Sequence, residues 1–177
     1  MELTTERLLL RELEEADAPA CNAYESDPEV VRWQSHDVRT LDESRAYIRK
    51  VRAEQAESPR NLYDLAVVLR ASNQLIGRCG MAVEERQGRL WYIMDRAHWG
   101  HGYIPEAARA LLDFAFRDLR LHRVVVDTDP RNGPSIRVAE KLEMRREAHH
   151  LKDAFYKGEW CDTLIYAILA NEWKYRR

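Results

Sequence analysis

The stretch RAHWGHGYIPEAARALLDFAF, Arg96 to Phe116, decides the fold. It follows a strand-like run, LWYIMD (Leu90 to Asp95), and carries the most regular helical pattern in the chain. Ala108, Leu111, Leu112, Ala115 and Leu119 recur at helical spacing, while Glu106, Arg109, Asp113, Arg117 and Arg120 line another face. Pro105 suits a first turn, where its missing N–H would have had no partner anyway. Gly100 and Gly102, just ahead of the helix, admit two readings. They can serve a turn that needs φ > 0, or they can let bare backbone approach an anion. Helix starts favour anions because their first N–H groups are unpaired and carry the positive end of the macrodipole. A dinucleotide GxGxxG is excluded because Pro105 takes the third glycine position, and a Walker loop because no Gly-Lys-Ser/Thr follows.

The flanking sequence builds a sheet around this unit. ERLLLREL (Glu6 to Leu13) predicts an opening strand, and Thr40 with Glu43 forms a capping box for a helix to about Glu57. SDPEVVRWQSHDV (Ser26 to Val38) reads as a polar, turn-rich connection between short helices. LYDLAVVL and QLIGRCGMAV form a hairpin across RASN, and GRLWYIMD adds a third strand. RVVVDT (Arg123 to Thr128) is continuous and β-branched, as a strand buried on both faces would be. A second helix begins in RNGPSIRVAEKL with Pro134 in its first turn, and two strands close the chain around Lys157-Gly158. The result is an α+β fold with a mixed sheet and a strand–loop–helix crossover at its centre.

Composition narrows the class. The 177 residues are 45% hydrophobic and 33% charged, which fits one globular domain over residues 1–177. A formal net charge of −2 gives no reason to expect a nucleic-acid partner. No apolar run approaches the ~20 residues of a membrane span, and the acidic start MELTTERLLLREL is no signal peptide. Cys21, Cys79 and Cys161 are widely spaced, odd in number and form no CxxC. They predict a reducing, cytoplasmic setting with neither a disulfide framework nor a zinc knuckle. No spacing among His98, His101, His149 and His150 supports a metal site.

HWGHGYIPEAARALLDFAF resembles the acyl-CoA pyrophosphate loop and helix of the GNAT superfamily of N-acyltransferases. The superfamily pattern Gln/Arg-x-x-Gly-x-Gly/Ala falls on Trp99, Gly100, His101, Gly102, Tyr103 and Ile104. Trp99 departs from Gln/Arg, and Ile104 from the small residue. The Trp-Gly-x-Gly-Tyr variant is typical of the branch resembling RimJ and RimL, which acetylate ribosomal-protein N-termini. LTTERLLLREL, LIGRCGM, DPRNGPSIRVAEKLEM and GEWCDTLIYAILANEW match further segments of that branch in order. The resemblance implies a mostly antiparallel central sheet flanked by helices, acetyl-CoA as cosubstrate, and transfer to a primary amine by direct attack. The amine would be a protein N-terminus or a small molecule such as an antibiotic or polyamine. Homodimers are common among similar proteins. A catalytically silent acyl-CoA-binding sensor is the alternative.

Direct acyl transfer needs a neutral amine, in-line approach, donors for the oxyanion and a proton for the thiolate. The resemblance implies that the strand around Tyr92 to Asp95 splays from its neighbour and offers backbone donors, with Ile93 and Met94 at the thioester and pantetheine. Asn132 is implied to hold the pantetheine arm, against a plain reading as turn and helix cap. The superfamily's usual acid, a tyrosine, falls on Ala139 and is missing. Ser135 lies where RimL-like members carry a serine proposed for that task, against a reading as local cap, and Tyr166 is a substitute acid or a buried structural residue. The RimL-like carboxylate falls on Ala154, with Asp153 adjacent, and Glu84, Glu85, Asp127 and His149 read either as candidate bases or as solvated charges. Water would also serve, since an α-amine has a pKa of about 7.7–8.0. Tyr24, Trp33 and His36 would line a substrate pocket or plug the core.

Overall fold

A computed structural model describes residues 1–175. Eight strands form one sheet in the order β1-β2-β3-β4-β5-β6-β8-β7. They are β1 (Glu2–Thr4), β2 (Leu8–Glu12), β3 (Leu62–Leu69), β4 (Gln74–Glu84), β5 (Gln87–Met94), β6 (Arg123–Thr128), β7 (Arg145–Tyr156) and β8 (Glu159–Leu169). The helices are α1 (Ala18–Glu25), α2 (Pro28–Val31), α3 (Leu41–Gln55), α4 (Tyr103–Arg117) and α5 (Gly133–Lys141). The opening run differs from expectation. It folds back at Thr5 into two short strands, because the Thr5 N–H donates to the Leu8 carbonyl at 2.9 Å and its hydroxyl to Glu106 at 2.6 Å.

Alternation on β3 sets the layers. Leu65 and Val67 face a core shared with Leu111, Leu112 and Leu142 of α4 and the end of α5. Ala66 and Val68 face a second core with Ile48 and Val51 of α3. Burying each such leucine contributes about 1.5–3 kcal/mol, so the central strands carry the fold. Thr40 caps α3 through the expected box with Glu43. The turn at Lys157 and Gly158 has φ of 52° and 81°, the two positive values a tight hairpin needs. All three cysteines are buried and unpaired. Among the described residues no helix is long and apolar enough to cross a membrane.

One feature of the sheet positions the site. Every neighbouring pair is antiparallel except β5 and β6. That parallel pair holds only at Gln87–Arg123, Gly88–Val124 and Arg89–Val125. Beyond Arg89 and Val125 the two strands part, although β5 stays paired with β4 and β6 with β8. The gap opens directly under the starts of α4 and α5.

Candidate active site

Two cavities meet in this gap. One, of about 520 Å³, runs beneath the starts of α4 and α5. The other, of about 500 Å³, lies between the 33–39 segment, α3 and the ends of β5, β6 and β8. Six residues line both: Trp33, Gln34, Tyr92, Ile93, Asn132 and Ser135.

The first cavity combines an uncapped helix start with basic side chains. Gly100 and Gly102 adopt φ of 80° and 79°, and Gly102 starts α4 with no side-chain cap. A Cβ on Gly100 would meet nothing within 4 Å, so its bare backbone faces open space. The two readings of the glycines are compatible: the turn has positive φ, and it leaves the helix start uncovered. Arg32, Arg131, Arg137 and Lys141 line the same cavity. Trp99 explains its own departure from Gln/Arg, since its indole N–H reaches back to the Met94 carbonyl at 2.8 Å. Gln34 donates likewise to the Tyr92 carbonyl at 3.2 Å. These two side chains take carbonyls of β5 along the stretch where β6 has left it.

Arg7 holds the loop from the other side, and the sequence reading missed it. Its guanidinium donates to the His101 carbonyl at 3.0 Å and to Glu106 at 2.7 Å, and it lies 4.6 Å from the Tyr103 ring centroid. Burial alone would push Glu106 up, but bonds from Thr5 and Arg7 hold its carboxyl below the usual range. Met94, Trp99, Tyr103 and Ile104 line this cavity as well. His101 does not: its ring stacks on Tyr103 at 5.7 Å and its Nδ1 meets the Trp99 carbonyl at 2.9 Å.

The start of α5 completes the junction. Asn132 is the N-cap of that helix, its Oδ1 accepting the Ser135 N–H at 3.2 Å. The cap reading thus passes from Ser135 to Asn132, whose amide NH₂ has no bonded partner among the described residues. Ser135 is 7% exposed, and its Oγ lies 2.7 Å from the Tyr92 hydroxyl. Ala139 is fully buried in the core, one turn beyond the junction.

The second cavity has an ionic floor. Arg78, 3% exposed, donates to Asp64 at 2.6 Å and also bonds Glu25. Arg39 meets Glu25 at 3.2 Å, and the Tyr47 hydroxyl donates to Asp64 at 2.7 Å. Burial pushes Glu25 up, but Arg78 and Arg39 pull it below the ordinary carboxylate range. A single charge in each of two apolar strands, Asp64 in LYDLAVVL and Arg78 in LIGRCGM, was the available signal for this cluster. Lys157, at the tip of the β7–β8 hairpin, donates to the Val31 carbonyl at 2.5 Å and ties that tip to the end of α2.

The remaining predicted residues separate. Trp33 and His36 line the second cavity. Tyr24 lines neither, being 3% exposed in the core beneath α1 and α3. Tyr166 is 6% exposed in the main core and lines neither cavity. Asp153 is exposed on β7, beside the irregularity between His150 and Ala154, and also lies outside both. Ala154 lines the second cavity, but its methyl group offers no base. Glu84 and Glu85 sit exposed at the β4–β5 turn, at the paired end of β5. His149 lies on β7 and pairs with Asp162 at 2.9 Å. No group of three or more His, Cys, Asp or Glu among the described residues could hold a metal ion.

A family model described as an acetyltransferase (GNAT) domain matches residues 7–145. The chain belongs to the GNAT acetyltransferase family. It is 34% identical to the uncharacterized N-acetyltransferase YnaD of Bacillus subtilis strain 168, over 98% of this chain and 99% of the relative. A crystal structure of a GNAT-family acetyltransferase from Bacillus anthracis matches with a TM-score of 0.88 at 31% identity, covering 97% of this chain and 100% of that one. RimL, a ribosomal L7/L12 alpha-N-protein acetyltransferase solved in complex with coenzyme A, matches with a TM-score of 0.84 at 19% identity. That alignment covers 96% of this chain and 98% of RimL, and it is a likeness of fold. The glycine-started helix follows the pattern in the sequence, and the parted strands are what the family resemblance implied.

Proposed function

We propose that the chain is a single-domain acetyl-CoA-dependent N-acetyltransferase acting on a primary amine, a protein N-terminus or a small molecule. The observation that carries this reading is the meeting of the two cavities at Tyr92, Asn132 and Ser135. Acetyl-CoA in the basic cavity would supply an activated acyl carbon with a thiolate as leaving group. The uncapped N–H groups of Tyr103 and Ile104 and the surrounding arginines would hold its phosphates. The Asn132 amide would hold its arm. The amine enters from the second cavity, so that donor and acceptor share one junction, and closeness replaces a bimolecular encounter. As the new C–N bond forms and the C–S bond breaks, the Ser135 Oγ–H gives its proton to the sulfur.

His36 is the base this arrangement favours, in place of Asp153. Its Nδ1 lies 2.8 Å from the Asp37 carbonyl, which can only accept. In the neutral ring Nδ1 therefore carries the proton, and Nε2 keeps a lone pair for the amine. Burial lowers its pKa, so the ring is neutral at pH 7. Of the three carboxylates that line the cavity, Asp127 is paired with Arg89 and the other two are held low. Arg131 holds Asp129 low, and the Lys152 N–H with His149 holds Asp162 low. The unpaired cysteines fit the cytoplasm, where acetyl-CoA is available.

A panel of peptides with free N-termini and of small amines, assayed for amine-dependent thiol release from acetyl-CoA, tests the reading. Turnover on one class identifies the acceptor. Tight acetyl-CoA binding with no turnover on any amine would return the sensor alternative.

A further inference from the structure

Tyr92 and Ser135 are the only hydroxyl-bearing residues among the six that line both cavities. They come from different elements, β5 and α5, and lie 43 positions apart in the chain. Their oxygens are 2.7 Å apart, and the Tyr92 hydroxyl also lies 3.3 Å from the Ser135 carbonyl. The phenol thus has two acceptors on one residue. When it donates to the carbonyl, Ser135 can donate to the phenol oxygen. When it donates to Ser135 Oγ, the serine hydrogen is free to point into the junction. Asn132 already caps α5, so the serine hydroxyl carries no structural duty at the helix start.

We propose that Tyr92 supplies, through Ser135, the proton that the departing thiolate takes, replacing from a strand the phenol that α5 lacks at Ala139. This rests on the acetyl-transfer reading above. A serine acting alone would be left as an alkoxide, a base far stronger than the thiolate it protonated. Burial lifts the Tyr92 phenol above its ordinary value of about 10, so net transfer to a thiol near 8.5 is uphill, but far less so than leaving an alkoxide on serine. The balance is complete without a further reactant. Sulfur gains the Ser135 proton, Ser135 gains the Tyr92 proton, and Tyr92 regains one from water in the cleft. The amine loses its proton to the base or to water. Burial raises the Tyr92 phenol, against the lowering effect of its bond to Ser135, so it stays protonated across the working pH range. Ser135 touches the sulfur, and Tyr92 acts through it as a positioning and proton-supplying residue.

The test compares Tyr92→Phe, Ser135→Ala and the double variant at saturating acetyl-CoA and amine, with acetyl-CoA affinity measured by calorimetry. Tyr92→Phe should lower kcat by at least about tenfold, within the range of general acid catalysis, while affinity stays within about threefold. The double variant should be no slower than Ser135→Ala, because both changes cut one path. Losses that multiply, or a folded Tyr92→Phe enzyme with normal kcat, would overturn the relay while leaving acetyl transfer standing. A ring-fluorinated tyrosine at position 92 keeps the shape and lowers the phenol pKa, and it should bring an alkaline fall in kcat into the accessible range. A structural tyrosine would show no such fall, and that result also overturns the relay. Wild-type protein that turns over no amine would overturn the acetyl-transfer reading and the relay with it.

Discussion

The two cavities are built in opposite ways. The anion-binding side is a short contiguous segment, Trp99 to Pro105, that works largely through backbone, with Arg7 as an outside brace. The acceptor side is assembled from side chains of α3, β4, β5, β6, β8 and the 33–39 segment, and its floor is a buried ionic cluster. Backbone recognition tolerates changes of side chain but not of conformation. A side-chain floor tolerates small backbone adjustments but not loss of a partner. Damage on the two sides should therefore register in different measurements.

The largest effect is expected at the floor. Arg78→Leu leaves Glu25 and Asp64 buried without their shared cation. Breaking a buried ion pair from one side costs about 3–5 kcal/mol, read as a lower urea midpoint. A stability loss below about 1 kcal/mol would mean that the cluster is no structural base for the acceptor side. The Glu25 contribution has a definite pH sense. Its folded pKa lies below its unfolded value, so its stabilisation is present above the unfolded pKa of about 4.3 and is lost as pH falls through the folded one.

Next in size is the loop. Gly102→Val places a β-branched residue at φ 79°, and the loop must rearrange to accept it. Acetyl-CoA affinity should fall by at least about a hundredfold, near 2.7 kcal/mol, while the sheet keeps its thermal transition. Unchanged affinity in a folded variant would remove the loop from the binding argument and erase the contrast between the two sides.

The smallest effect concerns His36, and pH reveals it. Desolvation lowers the imidazole pKa, the Asp37 carbonyl raises it, Arg39 and Arg78 lower it, and Glu25 raises it; the net shift is downward from 6.5. Because the base must be unprotonated, kcat should drop on the acid side below that value. His36→Gln should remove this limb and lower kcat by about tenfold at neutral pH, less than a full general-base contribution because water can substitute. An unaltered acid limb in the variant would assign the base elsewhere on the acceptor side.

The same contrast explains what the sequence disclosed. The strand–glycine loop–helix unit is local, so hydrophobic period, Pro105 and the two glycines specify it within about twenty residues, and the order of strands and helices follows from similar patterns. The β5–β6 parting is invisible in the hydrophobic pattern, because Leu90 to Met94 and Val126 to Thr128 read as ordinary strand; only the family resemblance implied it. Pairings across the site depend on which faces the topology turns together. Tyr92 shows nothing locally that marks it as a partner of Ser135, and Arg7 lies nearly a hundred residues from the loop it braces. Asp153 seemed well placed by adjacency to Ala154, but neighbouring strand residues point to opposite faces. Tyr24 and Tyr166 sit in the core for a simpler reason: an aromatic in an amphipathic setting fills a core as readily as it lines a pocket.

The parted strands give the sheet two free rims in its own interior. Unclaimed strand rims elsewhere invite pairing with whatever extended chain comes by. Among the described residues, the Gln34 and Trp99 side chains alone take carbonyls on this β5 rim, so a bound thioester arm would act as a stitch across an otherwise unfinished seam. On the acetyl-transfer reading proposed above, free donor a hundredfold above its Kd would add about 2.7 kcal/mol to the stability of the fold. Without that donor the seam would stand open and the protein would unfold more easily.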